Sequence, residues 1–306
     1  MNFLYKTKDG WFSTLLFLAI IMIIILWYKR QDLSPYYEGF TQNEPYIFKQ
    51  GKDTFDDFYA QIYNKLMEPE NTCQFQIEKI IEMTKPSKDI SSFLDIGSGT
   101  GEIAGQLTEK GYNVYAIDNS RAMTKYIDKN YPKVQTKCEN VKNSMNYEKE
   151  SFSHVICNGL TVYLFKNKQE FFRNCFFWLK SGGYLILHLV EPKKFDTIVP
   201  GGRPKLLENP QQYSKNRITD TVIDFIDFKY RGKYEFDKDE QVTFKETFTD
   251  ELTKNVRQQE TQYFMNSMDE ILKIASHNGF IPHAQINLSE CCGDKHQHLL
   301  ILERTQ

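Results

Sequence analysis

Short apolar runs near residues 92–96, 113–117, 134–137, 153–157 and 183–189 are separated by stretches that read as helices. Runs of that length and spacing predict β-strands alternating with helices, the arrangement of a doubly wound α/β sheet. Two helical patterns precede the first strand, at about 53–67 and 72–83, and the first carries Phe55, Phe58, Tyr59, Ile62, Tyr63 and Leu66 on one broad face. Aromatics at helical spacing pack a core or form a lid over a ligand, and both readings stand for Tyr59 and Tyr63. Later in the chain, Ser267-Met268-Asp269-Glu270 is a capping box that opens an amphipathic helix ending at Asn278-Gly279. Two strands follow at about 280–288 and 297–303.

Residues 191–265 break this rhythm. Pro192, Pro200, Gly201, Gly202, Pro204 and Pro210 exclude regular structure over most of 191–215. From Val222 the pattern alternates, with Ile226, Phe228, Tyr230, Tyr234, Phe236, Val242, Phe244 and Phe248 as its apolar members. It predicts three or four antiparallel strands. Inserted after the fifth strand, they stand beside the carboxyl ends of the sheet, either as part of a substrate site or as a cover over the sheet edge.

Residues 11–28 are eighteen consecutive uncharged residues, apolar on every face. As a helix they rise about 27 Å, near the thickness of a bilayer's hydrocarbon core, and predict a transmembrane anchor over 1–30. Trp11, Trp27 and Tyr28 suit the interfaces, and Lys29-Arg30 follow. No small-residue cleavage site ends the run, which speaks against a signal peptide. Lys6 and Lys8 before the span balance Lys29 and Arg30 after it, so charge leaves the orientation open. Pro35, Gly39, Pro45 and Gly51 mark 31–52 as a linker to a domain spanning 53–306.

The net charge of −2 gives no general attraction to nucleic acid, and the six cysteines show no disulfide framework. Chemistry concentrates at Phe93-Leu94-Asp95-Ile96-Gly97-Ser98-Gly99-Thr100-Gly101-Glu102, where a strand breaks into alternating glycines and then a helix. Glycines turn the backbone without a Cβ in the way, and the helix presents its positive end to a ligand. Asp118 closes the next apolar run at the distance of a ribose-binding carboxylate. Counted from Gly99 the string also passes for G-x-G-x-x-A, which keeps a nicotinamide cofactor in view; the strand ending at Ile96 makes Gly97 the turn glycine and argues against it.

Asp95 to Glu102 resembles the first motif of the class I S-adenosylmethionine-dependent methyltransferases, and Ala116 to Met123 their second. Ser151 to Asn158 resembles their fourth strand, and Trp178-Leu179-Lys180-Ser181-Gly182-Gly183 their approach to the fifth. The resemblance implies a Rossmann-like seven-stranded sheet with an antiparallel terminal strand, and S-adenosyl-L-methionine as cofactor. It implies that Gly97, Gly99 and Gly101 admit the methionine moiety, Asp95 holds its amino group and Asp118 binds the ribose. Met123 lies against adenine or packs the core; Glu139 or Asn140 meets the adenine amino group, and Asn158 stands at the fourth strand end.

Methyl transfer asks for alignment in a dry pocket and, for some acceptors, a base. Strand-end candidates are Tyr163, His188 and Glu191, with His188 the candidate base. Asn158 is followed by Gly159-Leu160 and not by Pro-Pro-aromatic, which counts against methylation of nucleic-acid bases. Cys291-Cys292 with His296 and His298 invites a zinc reading, but adjacent cysteines on an extended chain point to opposite faces, and no metal is expected. The expected protein is a single-pass membrane methyltransferase acting on a small-molecule or lipid-like acceptor. Its cofactor is made in the cytosol and its cysteines look unpaired, so its domain faces the cytosol. The alternatives are an NAD(P)-dependent oxidoreductase and a catalytically silent membrane scaffold.

Overall fold

The computed structural model describes residues 8–31, 42, 44–204, 209–237 and 241–305, and the chain divides into two units, Met1–Asn43 and Glu44–Gln306. The first unit holds helix α1 (Lys8–Gln31). Its described side chains are Trp11 and residues 14–25, nearly all of them exposed. A helix forms where the apolar run predicts one, but the transmembrane span expected over 11–28 is not supported. Among the described residues no helix is long and apolar enough to cross a membrane. Residues 1–7 and the side chains of Trp27, Tyr28, Lys29 and Arg30 lie outside the described residues.

The second unit opens with strand β1 (Tyr46–Gln50) and helices α2 (Asp57–Met67) and α3 (Pro69–Thr84). There follow β2 (Ser92–Ile96), α4 (Glu102–Glu109), β3 (Asn113–Asp118), α5 (Arg121–Asn130), β4 (Gln135–Cys138), β5 (Phe152–Cys157), α6 (Lys168–Trp178) and β6 (Leu179–Val190). Strands β7 (Asp220–Asp224), β8 (Phe228–Phe236), β9 (Gln241–Asp250) and β10 (Val256–Phe264) come next. Helix α7 (Met268–His277), β11 (Phe280–Asn287), α8 (Ser289–Cys292) and β12 (Gln297–Arg304) complete the unit.

Strands β11-β12-β6-β5-β2-β3-β4 form a seven-stranded sheet in that order, parallel from β6 through β4. Strand β12 lies antiparallel between β11 and β6. This is the Rossmann-like sheet with an antiparallel terminal strand that the motif order implies. Both faces are covered, and the two-residue side-chain period shows how. Phe93, Ile156 and Ile186 enter one buried cluster, while Leu94, Val155, Cys157, Leu185 and Leu187 enter the other. The helix expected between β4 and β5 is replaced by a single 3₁₀ turn, Ser144–Asn146. Asn140 and Asn143 accept hydrogen bonds from the backbone N–H groups of Lys142 and Met145, drawing the backbone away from helical pairing.

The insertion forms a second sheet, β1-β10-β9-β8-β7, whose four later strands are antiparallel as the alternation predicts. Its fifth member comes from the segment expected to be linker: Tyr46–Gln50 pairs parallel with Val256–Glu260. Of that segment, residues 32–41 and 43 lie outside the described residues.

Buried polar side chains tie this sheet to α2. Arg257 Nη1 and Nη2 donate to the two carboxylate oxygens of Asp56, at 2.8 and 3.0 Å, and its Nε donates to Gln259 Oε1. The guanidinium also stacks on the Phe58 ring. Burial raises the Asp56 carboxyl, but Arg257 and Lys49 outweigh it and hold it below the usual range. Glu246, 1% exposed, accepts from the Tyr59 and Tyr230 hydroxyls and from Gln259 Nε2, at 2.8–2.9 Å. Burial pushes this carboxyl up. Removing one partner of a buried charged pair leaves the other unsatisfied, so Arg257→Ala is expected to cost about 2–4 kcal/mol. Urea unfolding checks this as a lower midpoint at unchanged slope. Lys254→Ala, which removes an exposed pair with Glu251, leaves the midpoint in place.

Candidate functional site

The carboxyl ends of β2, β3, β5 and β6 open into a cavity of about 680 Å³, a size suited to a small-molecule site. After Ile96 the backbone turns through Gly97, Gly99 and Gly101, all with left-handed φ (63°, 53° and 82°). At Gly97 a Cβ would collide with the Thr161 side chain, so the turn demands glycine twice over. At Gly99 a Cβ would meet nothing within 4 Å, which leaves this backbone open to a ligand. Gly101 does not line the cavity; it caps α4, where a Cβ would come 2.7 Å from Ile127.

Asp118 holds this loop in shape. Its Oδ2 accepts from the Gly99 N–H at 2.9 Å and its Oδ1 from the Ser120 N–H at 2.8 Å, leaving lone pairs on both oxygens. Burial raises the carboxyl against these hydrogen bonds. Asp95 is 2% exposed, and burial together with the neighbouring Asp118 pushes it up to about 7.

Met123, Glu139, Asn140 and Asn158 also line the cavity. The Asn140 carboxamide already accepts from Lys142, whereas Asn158 Oδ1 is buried with no hydrogen-bond partner. Two further cavity-lining groups share that state: Ser98 Oγ and both polar atoms of Gln76. Unsatisfied buried polar atoms gathered around one cavity fit a polar ligand that completes them. Gln76 and Cys73 escape sequence reasoning, because polar residues in a helical pattern read as a solvent face. The structure buries both on α3 against the cavity.

The insertion supplies the opposite wall. Tyr234, Phe244, Thr261 and Tyr263 reach the cavity from β8, β9 and β10, and Phe55, Tyr59 and Tyr63 reach it from α2 and the turn before it. Tyr234 stacks on Phe244 at 4.3 Å. Burial pushes the phenols of Tyr63, Tyr234 and Tyr263 well up, so they stay protonated at neutral pH.

Of the proposed reactive side chains, His188 lines the cavity and Tyr163 does not. The Tyr163 hydroxyl accepts from Val190 N–H at 2.9 Å and donates its one proton to Val190 C=O at 3.2 Å, which makes it a brace between a loop and β6. Glu191 is likewise absent from the cavity wall and is taken up by His296 and Lys194. His188 Nε2 is 3.0 Å from Gln297 Oε1, and Gln297 Nε2 donates to Asp294 at 2.9 Å. A carboxylate only accepts, so the amide orientation is set and its oxygen must take a proton from His188 Nε2. That leaves Nδ1 as the lone-pair nitrogen, buried and without a partner. Burial lowers the imidazole to about 4, so it is neutral at physiological pH.

Among the described residues no group of three or more His, Cys, Asp or Glu side chains is arranged to hold a metal ion. Cys291 and Cys292 lie on helical turn α8 and not on an extended strand, so the expectation of opposite faces does not hold.

The family profile described as "Methyltransferase domain" matches residues 94–187. The ubiquinone biosynthesis O-methyltransferase of Rickettsia typhi is 33% identical over 180 residues, which is 50% of this chain and 70% of the relative. An S-adenosylmethionine-dependent methyltransferase structure from Clostridium acetobutylicum matches with a TM-score of 0.61 at 19% identity, covering 82% of this chain and 99% of its own. The S-adenosylmethionine-bound amino pentose methyltransferase CalS10 from Micromonospora echinaspora matches with a TM-score of 0.57 at 14% identity, covering 81% and 98%. At these identities the structural likeness establishes the fold.

Asp95 yields a test independent of any ligand. The unfolded chain ionises this carboxyl from about pH 4, while the folded protein keeps the proton until about pH 7. Its contribution to stability is therefore complete at low pH and is lost as pH rises through that window. Thermal melts of Asp95→Asn are expected to show a higher Tm than wild type at pH 8 and the same Tm at pH 4.

Proposed function

The chain belongs to the S-adenosylmethionine-dependent methyltransferases, and on that premise we propose that it methylates a hydroxyl group of a small-molecule or lipid-like acceptor held against the aromatic wall of the cavity. Family membership takes the place of the oxidoreductase and silent-scaffold alternatives. The observation that carries the reading is one cavity that joins the loop built around Asp95 and Asp118, an aromatic wall and His188, whose Nδ1 is buried without a partner. The O-methyltransferase relative supports an oxygen acceptor.

When bound, S-adenosylmethionine supplies an activated methyl group on a sulfonium. Asp95 would hold its amino group, Asp118 its ribose through the lone pairs left after Gly99 and Ser120, and Met123 its adenine face. Asn158, Ser98 and Gln76 offer the polar atoms that a ligand completes. The aromatic wall excludes water and aligns the acceptor, which is most of what methyl transfer needs. His188, fixed as the Nε2–H tautomer by Gln297 and Asp294, receives the hydroxyl proton at Nδ1. Its low pKa keeps it in the base form across neutral pH.

Calorimetric titration of the full chain in detergent with S-adenosylhomocysteine tests the cofactor half. Wild type is expected to bind, and Asp118→Ala to bind at least tenfold more weakly, a loss of about 1.4 kcal/mol. No binding by folded wild type would overturn the assignment. His188→Ala is expected to retain that binding while methyl transfer to responsive hydroxyl acceptors falls by about 10²–10⁴.

We further propose that α1 holds the catalytic unit at a membrane, on the cytosolic side. Its exposed apolar side chains, among them Trp11 at 67% and Phe17 at 62%, support this. Flotation with liposomes is expected to carry the full chain upward and to leave a chain lacking 1–43 at the bottom; equal behaviour would overturn it.

A further inference from the structure

Two thiols stand side by side on the cavity wall with no part in the chemistry described so far. Cys291 and Cys292 occupy α8, a single helical turn between β11 and β12, and both are half-buried. The turn is anchored by their own backbone N–H groups, which donate to the Leu288 carbonyl at 3.2 and 3.0 Å. Both sulfurs reach back to that same carbonyl oxygen, Cys291 Sγ at 3.2 Å and Cys292 Sγ at 3.0 Å. Two adjacent residues thus hold their sulfurs within 3.2 Å of one oxygen, and both line a cavity that His188, Gln297 and Arg203 also line.

Three alternatives for such a pair can be weighed. Zinc needs about four ligands, and among the described residues no third His, Cys, Asp or Glu joins them. A disulfide between neighbours is disfavoured, because their Cα atoms are about 3.8 Å apart across one peptide, shorter than the roughly 4.4–6.8 Å that disulfides span. Forming it would also unwind the anchored turn. A single larger thiophilic atom bridging both sulfurs meets neither objection: it asks for two thiolates and tolerates a wider sulfur separation.

We propose that Cys291 and Cys292 form a chelating dithiol site, on the cavity wall, for trivalent arsenicals. Two S–H groups and two As–OH groups give two As–S bonds and two waters; arsenic stays trivalent, and no electron donor or acceptor is required. The first bond makes the second intramolecular, so the pair holds the ligand far more tightly than a single thiol does. Arg203 adds to this from the cavity side. Its Nη1 donates to the Cys292 carbonyl at 2.8 Å, which fixes the turn and sets a guanidinium beside the thiol, where a thiolate is favoured.

The test uses the reduced full chain and phenylarsine oxide, read by non-denaturing intact mass and by alkylation mapping. One adduct per chain is expected, retained in hundredfold excess glutathione and released by 2,3-dimercaptopropanol. Cys291→Ser and Cys292→Ser are each expected to lower retention at least tenfold, and Cys138→Ser, at an exposed cysteine, to leave it unchanged. In the wild-type protein, where no variant can misfold, the adduct is expected to shield Cys291 and Cys292 together from iodoacetamide while Cys138 stays reactive. Release by glutathione as readily as by the dithiol, shielding of other cysteines, or unchanged retention in both serine variants would overturn the proposal.

Discussion

The site depends on one carboxylate bridging two strand ends. Asp118 ends β3, yet its oxygens are spent on the N–H of Gly99, in the loop after β2, and of Ser120, in its own following turn. Without it, a loop with three left-handed glycines would have many conformations to choose from, and the freedom that lets it turn would keep it from holding one shape. Hydrogen bonds to a charged acceptor contribute about 1.5–3 kcal/mol each, enough to select one. Burial raises the Asp95 carboxyl, and the same Asp118 carboxylate adds to it, so the bridge also bears on the charge state of the strand end beside it.

The aromatic wall of the cavity has a different logic. Its aromatic wall belongs to the insertion, which is held by buried polar contacts and not by apolar packing alone. Arg257 grips Asp56 at the start of α2, and Glu246 gathers Tyr59, Tyr230 and Gln259. Such contacts are directional, so the second sheet and α2 meet in one register. The Tyr59 ring that Glu246 restrains also faces the cavity. Rigidity there arises from charge burial, which is costly unless every partner is in place.

Much of this was legible in the chain. The parallel strands announce themselves by alternation, and Asp118 by its distance from the glycines, because backbone period and ligand size impose those spacings locally. What escaped is what depends on distant partners. Tyr46–Gln50 carries no buried stripe, and it becomes a strand only because Val256–Glu260 offers a free edge. Tyr163 has the chemistry of a catalytic residue, but Val190 claims its hydroxyl at both ends. Cys291 and Cys292 read as extended chain, and the Leu288 carbonyl draws them into a turn. Gln76 looks like solvent-facing helix until packing buries it.

Strand β12 lies inside the sheet, between β6 and β11, although it comes after both of them along the chain. Gln297 and Asp294, which set the proton on His188, lie in this strand and in the turn leading into it. A growing chain emerges amino end first, so the glycine loop and its carboxylate bridge can assemble while residues near 297 are still being added. During that interval β6 presents a bare edge, and His188 has no partner to choose its tautomer. The shape of the loop and the tautomer of His188 are therefore fixed at different moments of synthesis. An incomplete chain has one end of its cavity formed before the proton at the other has found its place.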